Sequence, residues 1–384
     1  MIGSSPILEV DYYRYLWDGA VTASGNNPYK YSPQELSEGN NNLAVELETL
    51  SGKYGYILDN VNHPELKTSY PPVTQAVFAI SSLIKPFSLL TWKLILLILD
   101  IATFILIYLV LKKLKLPQSN LIIYWWNPLL IKEVFNSGHM DIVVFPFLIG
   151  SFLLYLSKKY TFSFTALCTA VGVKLWPVLL LPVLIRKFIS DWKNFSKYLS
   201  IFSVLSFIIL LPLIISYFDQ ASGIEAYSRR WQNNDSVFRI ILAVSEFVLP
   251  LFGYHHGHGQ FISRIAVVCI MVFSVLYLTK NKAKGNLDYF KTGLIIIAIT
   301  FFLSPAQFPW YYLWMLPILT IIPYRPLLLL SVLMPLYYLR YYFESRGEFS
   351  FYYEYIVWLE YLPVLGWIAF DYIQNRHGSI LITD

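Results

Sequence analysis

Runs of about 15–20 apolar residues, separated by short loops carrying Lys, Arg or Pro, recur from residue 73 onward, and a run of that length matches the thickness of a bilayer. Backbone polar groups inside lipid have to be satisfied within the segment, so such runs fold as helices. The chain is therefore read as an all-α polytopic membrane protein of roughly ten transmembrane helices. Composition supports this: 56% of the 384 residues are hydrophobic and 14% are charged, against roughly 25% charged in a soluble domain. The net charge of +5 sits in the loops, where it sets topology, and gives no reason to expect nucleic acid. Cys168 and Cys269 lie inside apolar runs far apart in sequence, as small core residues do, and two cysteines make no disulfide framework.

Basic residues order the spans. Trp92–Leu111 ends in Lys112, Lys113 and Lys115, which marks that end as cytoplasmic. Leu121–Phe135 then runs outward and carries Glu133, Asn136, His139 and Asp141 to the outer face, and Ile142–Leu156 returns to Lys158 and Lys159. Phe162–Ile185 obeys the charge rule if it is two short helices broken at Pro177, with Lys174 outside. Lys197–Tyr217 leads to an outer loop with Arg229 and Arg230, and Val237–Phe252 reads as interfacial. Phe261–Leu278, the pair Thr292–Leu303 and Tyr311–Ile322, then Leu327–Leu339 and Tyr353–Ala369 complete the set. Val73–Ile84 is short for a span. No solenoid or inverted repeat is detectable.

Ahead of this membrane body lies its least expected stretch, Glu9-Val-Asp11-Tyr-Tyr-Arg14-Tyr15-Leu-Trp17-Asp18-Gly19, continuing to Asn27-Pro28-Tyr29. Three carboxylates and an arginine beside an apolar body call for a reason, because charge is costly near lipid. Residues 1–72 are read as an outer catalytic loop with juxtamembrane segments, and 73–384 as the helical body. The ten residues ahead of Asp11 are too short for a signal peptide or a span, and a preceding helix is expected to be missing from this reading frame.

The topology puts Asp11, Asp18, His139, Asp141, Lys174, Arg229, Arg230 and the 304–312 segment on one non-cytoplasmic face. Motifs for nucleotide or metal hydrolase chemistry (GxGxxG, a P-loop, HExxH, GxSxG) are absent from the sequence. A membrane enzyme working outside the cytoplasm, where nucleotide sugars are scarce, needs another activated donor, and a polyprenyl phosphate sugar fits, since its phosphate is a good leaving group. Such a transfer needs a carboxylate to deprotonate the acceptor hydroxyl and cations to hold the departing phosphate. Glu9, Asp11 or Asp18 suit the first task; Lys174, Arg229 and Arg230 suit the second. Arg229 and Arg230 read equally as a solvated pair, Asp18 as a brace of the loop through Arg14, Asp141 as a helix cap, Lys174 as the partner of Asp141 or Glu133 in an ion pair, and Trp310 and Tyr311 as lining or packing aromatics. His255, His256 and His258 sit in a Gly-rich stretch without a carboxylate beside them, a poor metal site.

The ordered blocks Glu9-Val-Asp11…Arg14-Tyr15…Trp17-Asp18-Gly19…Asn27-Pro28-Tyr29, Trp126-Asn127-Pro128…Gly138-His139-Met-Asp141, Val173-Lys174-Leu-Trp176-Pro177 and Gln307-Phe308-Pro309-Trp310-Tyr311 resemble GT-C glycosyltransferases. They are similar to bacterial polyprenol-phosphate-mannose-dependent mannosyltransferases, to family 87, and to the first mannosyltransferase of glycolipid-anchor assembly. The resemblance implies a catalytic Asp in the first outer loop, here Asp11, a lipid-phosphate sugar donor and inversion at the anomeric carbon. It implies substrate contacts at Glu9, Arg14, Asp18, His139, Asp141, Lys174, Arg229, Arg230, Trp310 and Tyr311. Glu9 stands at the first position of the family's Asp-x-Asp pair, so a divalent metal at Glu9 and Asp11 stays open and no cofactor is otherwise called for. The partners implied are a polyprenyl-phosphate sugar, with mannose foremost, a glycan or glycolipid acceptor, and the lipids of a bacterial plasma membrane. A flippase or transporter for lipid-linked sugars and a non-catalytic assembly subunit are the rival readings.

Overall fold

The computed structural model describes residues 1–38, 45–46, 49, 54–219, 221–253 and 258–377. His255 and His256 fall outside these. The described chain is helical, and its one β contact is an isolated bridge between Asn233 and Ala306. Among the described residues six helices are long and apolar enough to cross a membrane, or seven if the segments Pro128–Asn136 and Met140–Leu156, bent by 101° at residues 137–139, count as one broken span. The protein is thus an all-α membrane protein.

It divides into two compact units, Met1–Lys113 with Ile131–Trp231, and Leu114–Leu130 with Gln232–Asp384. In the first unit, α1 (Asp11–Ala23) lies on α2 (Pro72–Ile84), and α3 (Leu89–Leu114) is a long span. Then follow α4 (Val144–Leu156), α5 (Tyr160–Val173), the span α6 (Trp192–Tyr217) and the short α7 (Gly223–Arg230). Close contacts between helices depend on glycine. A Cβ on Gly19 of α1 would lie 2.5 Å from the carbonyl oxygen of Phe78 in α2. One on Gly172 of α5 would lie 2.6 Å from Val73 Cγ2 and 2.7 Å from Ile209 Cγ2. Outward-facing Ile98, Ile105, Phe207, Ile208 and Ile215 on α3 and α6 are exposed, as expected of surfaces whose solvent is lipid.

Several elements differ from the sequence expectation. The opening stretch is a helix over Asp11–Ala23, with Tyr13 to Val21 all buried. Leu121–Phe135 is not a continuous helix: it is Leu121–Trp125, Pro128–Leu130 and a π-helical turn Ile131–Asn136, because Pro128 cannot continue the preceding helix. Phe162–Ile185 is broken as expected, but at Lys174 and Leu175, just ahead of Pro177.

In the second unit, α8 (Val237–Val248) is too short to cross, and packs Phe238 and Leu242 against Val267 of α9 (Gly259–Thr279) and Leu303 of α10 (Asn286–Leu303). The segment 304–309 is locked there. Gln307 donates its backbone N–H to Asn233 O at 2.9 Å and its side-chain oxygen accepts from Ser236 Oγ at 2.9 Å. Trp310 and Tyr311 are buried, with Phe308 stacked on Trp310 at 4.5 Å.

Candidate active site

Asp11 occupies the first turn of α1, where a negative charge is favoured by the helix dipole. Its Oδ1 accepts a hydrogen bond from Asn62 Nδ2 at 3.3 Å, and its Oδ2 lies 3.9 Å from His139 Nδ1. The side chain retains 31% of its surface, so a substrate hydroxyl has access to it. Packing around it raises its carboxyl above the usual range through burial first; the Asn62 hydrogen bond opposes this, Asp141 adds to it, and Lys174 and His63 oppose it.

Behind Asp11 lies His139, whose side chain is 1% exposed. Its Nε2 is 3.4 Å from Glu133 Oε2 and 3.9 Å from Glu9 Oε2. Tyr15 OH is 3.5 Å from Nδ1; its ring stacks on Phe78 at 4.9 Å. The chain reaches this geometry through the π-helical turn. Ser137 N–H donates to Lys132 O and His139 N–H to Glu133 O, both at 2.9 Å, and π turns of this kind recur at functional sites. Gly138 follows at φ +78°, a left-handed conformation for which glycine is suited, and its carbonyl accepts from Trp92 Nε1 at 2.7 Å.

Asn136 holds the strap that precedes Asp11. Its Nδ2 donates to Ser4 Oγ and Ser5 O at 2.9 Å each, and its Oδ1 accepts from Ile7 N–H at 3.1 Å. Lys93 Nζ donates to Ser4 O at 2.8 Å.

Lys174 follows the end of α5 in extended conformation and donates to Asp141 Oδ1. Thr74 Oγ1 fixes this end by donating to Val173 O at 2.7 Å. Lys174 is 20% exposed, while Asp141 is buried. Asp11, Glu9, His139, Asp141 and Lys174, scattered over the sequence, thus meet in one region of the first unit.

Arg14 and Asp18 turn away from this cluster. Arg14 Nε pairs with Asp18 Oδ1 at 2.9 Å and its Nη1 donates to Leu66 O at 2.9 Å. Asp18 Oδ2 accepts from Thr68 Oγ1 at 2.5 Å and Gln75 Nε2 at 3.0 Å. The pair therefore ties α1 to α2 and to the strand of chain between them. Arg229 pairs with Glu225 at 2.7 Å and is 73% exposed. Arg230 is exposed too, but its neighbour Trp231 rests on His63, with ring centres 4.8 Å apart, one residue from the Asn62 that binds Asp11. Trp310 and Tyr311 belong to the second unit.

The two carboxylates considered for a metal do not converge on one point, since Asp11 faces Nδ1 and Glu9 faces Nε2 of the same imidazole. Among the described residues no group of three or more His, Cys, Asp or Glu is arranged to hold an ion. The residues do not fit a metal.

Glu133, Asn136 and Asn62 were not singled out by sequence as site residues. For Glu133 and Asn136 a signal was available: polar residues in an otherwise apolar segment directly before Gly138-His139.

Residues 1–189 match the MptA_B family model, described as alpha-(1->6)-mannopyranosyltransferase, N-terminal domain. No curated protein and no solved structure matches the chain. The matched part contains Asp11, Glu9, Glu133, His139, Asp141 and Lys174. Residues 1–189 of this all-helical membrane protein are thus similar to the N-terminal domain of alpha-(1->6)-mannopyranosyltransferases, and the protein is a hexosyltransferase of the GT-C mannosyltransferase type.

Proposed function

We propose that the protein transfers mannose from a polyprenyl phosphate to a glycan or glycolipid acceptor at the non-cytoplasmic face of a bacterial plasma membrane, with Asp11 as the base and inversion at the anomeric carbon. The observation that carries this reading is the open carboxylate of Asp11 beside Lys174, which is held by the buried Asp141. Asp11 takes the proton of the acceptor hydroxyl, the oxygen attacks C1 from the side opposite the phosphate, and the C1–O bond breaks with its electrons on the phosphate. General-base catalysis of this kind is worth about 10²–10⁴-fold. Lys174, with Arg230 beside the Trp231–His63 contact, meets the charge that develops on the leaving group.

The assignment of face rests on α3. Trp92 and Lys93 at its start touch Gly138 and Ser4 of the site, while Lys112 and Lys113 end it. A helix of 26 residues is about 39 Å long, enough to separate these ends across the hydrocarbon, and the Lys end is the cytoplasmic one by the positive-inside rule. A lipid-borne donor fits a chain without nucleotide-binding motifs whose spans face lipid. Residues 1–72 serve in this reading as the outer part of the catalytic region.

The test supplies purified protein with mannosyl polyprenyl phosphate or with a nucleotide mannose, and determines the anomeric configuration of the product. Product from the lipid donor alone, with inverted configuration, supports the proposal. Transfer from the nucleotide sugar, or retention, refutes it. Movement of the lipid-linked sugar across proteoliposomes without covalent product would favour the transporter reading.

A further inference from the structure

Glu133 is fully buried, with its carboxylate 3.4 Å from His139 Nε2 and its backbone carbonyl holding the His139 N–H at 2.9 Å. The other edge of the same ring faces Asp11. With Glu133 and Glu9 both presenting carboxylate oxygens to Nε2, a proton belongs on that nitrogen, because a lone pair there would oppose two anions. Nδ1 of the neutral ring is then an acceptor, directed at Asp11 Oδ2 and Tyr15 OH. The groups around the ring are Glu9 from the strap, Asp11 and Tyr15 from α1, and Glu133 from the π turn, with Lys132 and Lys174 at longer range.

Resting on the assignment of Asp11 as the base, we propose that Glu133 is a positioning residue for the transfer: it fixes the His139 tautomer so that Nδ1 accepts a hydrogen bond from Asp11 once Asp11 holds the acceptor's proton. No hydrogen bond is needed at Asp11 before that moment, which accords with the 3.9 Å separation in the resting protein; contacts of this kind tighten when substrate is bound. His139, almost without exposed surface, then serves the reaction through Asp11. The arrangement makes Asp11 a better proton acceptor without giving it a second contact to substrate.

The experiment measures kcat and KM across pH for wild type, Glu133→Gln, Glu133→Asp, His139→Gln and Asp11→Asn, using mannosyl polyprenyl phosphate and a fixed acceptor. Loss of the Glu133 charge weakens Nδ1 as an acceptor, and this weakens proton binding at Asp11. Glu133→Gln is therefore expected to lower kcat about tenfold or more and to move the acid limb of the profile to lower pH by about half a unit or more. KM stays within about twofold, and Glu133→Asp lies between the two. His139→Gln moves the limb the same way. A purely structural Glu133 would lower activity and leave the limb in place; an unmoved limb in the Glu133 variants overturns the inference. If Glu133→Gln is not recovered folded, Glu133→Asp and His139→Gln decide by the same limb. Asp11→Asn separates the two failures: if it is inactive while the limb is unmoved, only this inference falls, and if it is fully active, the base assignment falls with it.

Discussion

Replacing Lys174 with Gln removes the cation that links Asp141 to the site. Two consequences follow, and they separate in measurement. The buried Asp141 loses the cation that faces it, and breaking a buried pair from one side costs about 3–5 kcal/mol of stability. Catalytically, a charge-assisted hydrogen bond to the departing phosphate is worth about 1.5–3 kcal/mol, or about 10–150-fold in kcat/KM at 1.36 kcal/mol per factor of ten. Lys174 also opposes the rise of the Asp11 carboxyl, so its removal pushes the acid limb to higher pH, opposite to the shift expected for Glu133→Gln. The assay is transfer of labelled mannose from its polyprenyl phosphate in detergent or nanodiscs, paired with thermal unfolding. The double variant Lys174→Gln with Asp141→Asn restores much of the stability, since no lone charge remains, but not kcat/KM. Wild-type kcat/KM with an unmoved acid limb in Lys174→Gln would refute the role given to Lys174.

Three further outcomes are expected. The wild-type acid limb lies above the ordinary Asp range of about 3.9: burial makes Asp11 hold its proton to higher pH, so activity is lost on acidification earlier than an exposed carboxylate would dictate, as a pH profile of kcat/KM will show. Gly19→Ala drives a methyl to 2.5 Å from Phe78 O, an overpacking that costs about 1–3 kcal/mol and lowers the unfolding temperature in detergent; unchanged stability would deny the close approach of α1 and α2. Asn136→Ala deletes three hydrogen bonds to residues 4–7, at about 0.5–1.5 kcal/mol each. Faster amide exchange at residues 4–8 with reduced kcat is the expected reading.

Much of the site was legible in the sequence because it is made of charges in an apolar chain. The cost of charge near lipid drew attention to Asp11 and Lys174, the family resemblance singled out Asp11 and added His139 and Asp141, and the structure brings the four together. Their partners did not stand out, because the contacts join residues far apart in an ordinary polar stretch: Asn62 reaches Asp11, and Thr68 and Gln75 reach Asp18. Asp18 reads both as a substrate contact and as a brace through Arg14, and in the structure the two pair with each other between α1 and α2. The helix α1 was read as loop for a physical reason. Its polar residues Asp11, Arg14, Asp18 and Thr22 do recur at helical spacing, but Arg14 and Asp18 are buried with the aromatics around them, so the stretch lacks the solvated polar face by which a surface helix is recognised. Among the described residues six or seven segments are long and apolar enough to cross a membrane; the other apolar runs, interrupted by proline, form shorter helices and turns, and hydropathy alone does not separate these from a crossing.

The central claim, that Asp11 removes the acceptor's proton, is tested most directly by single-turnover transfer with Asp11→Asn. The Asn side chain keeps the shape and can still face Asn62 and His139, so folding and donor binding are expected to match wild type while the rate of mannose transfer falls about 10²–10⁴-fold. A transfer rate equal to that of wild type would contradict the account.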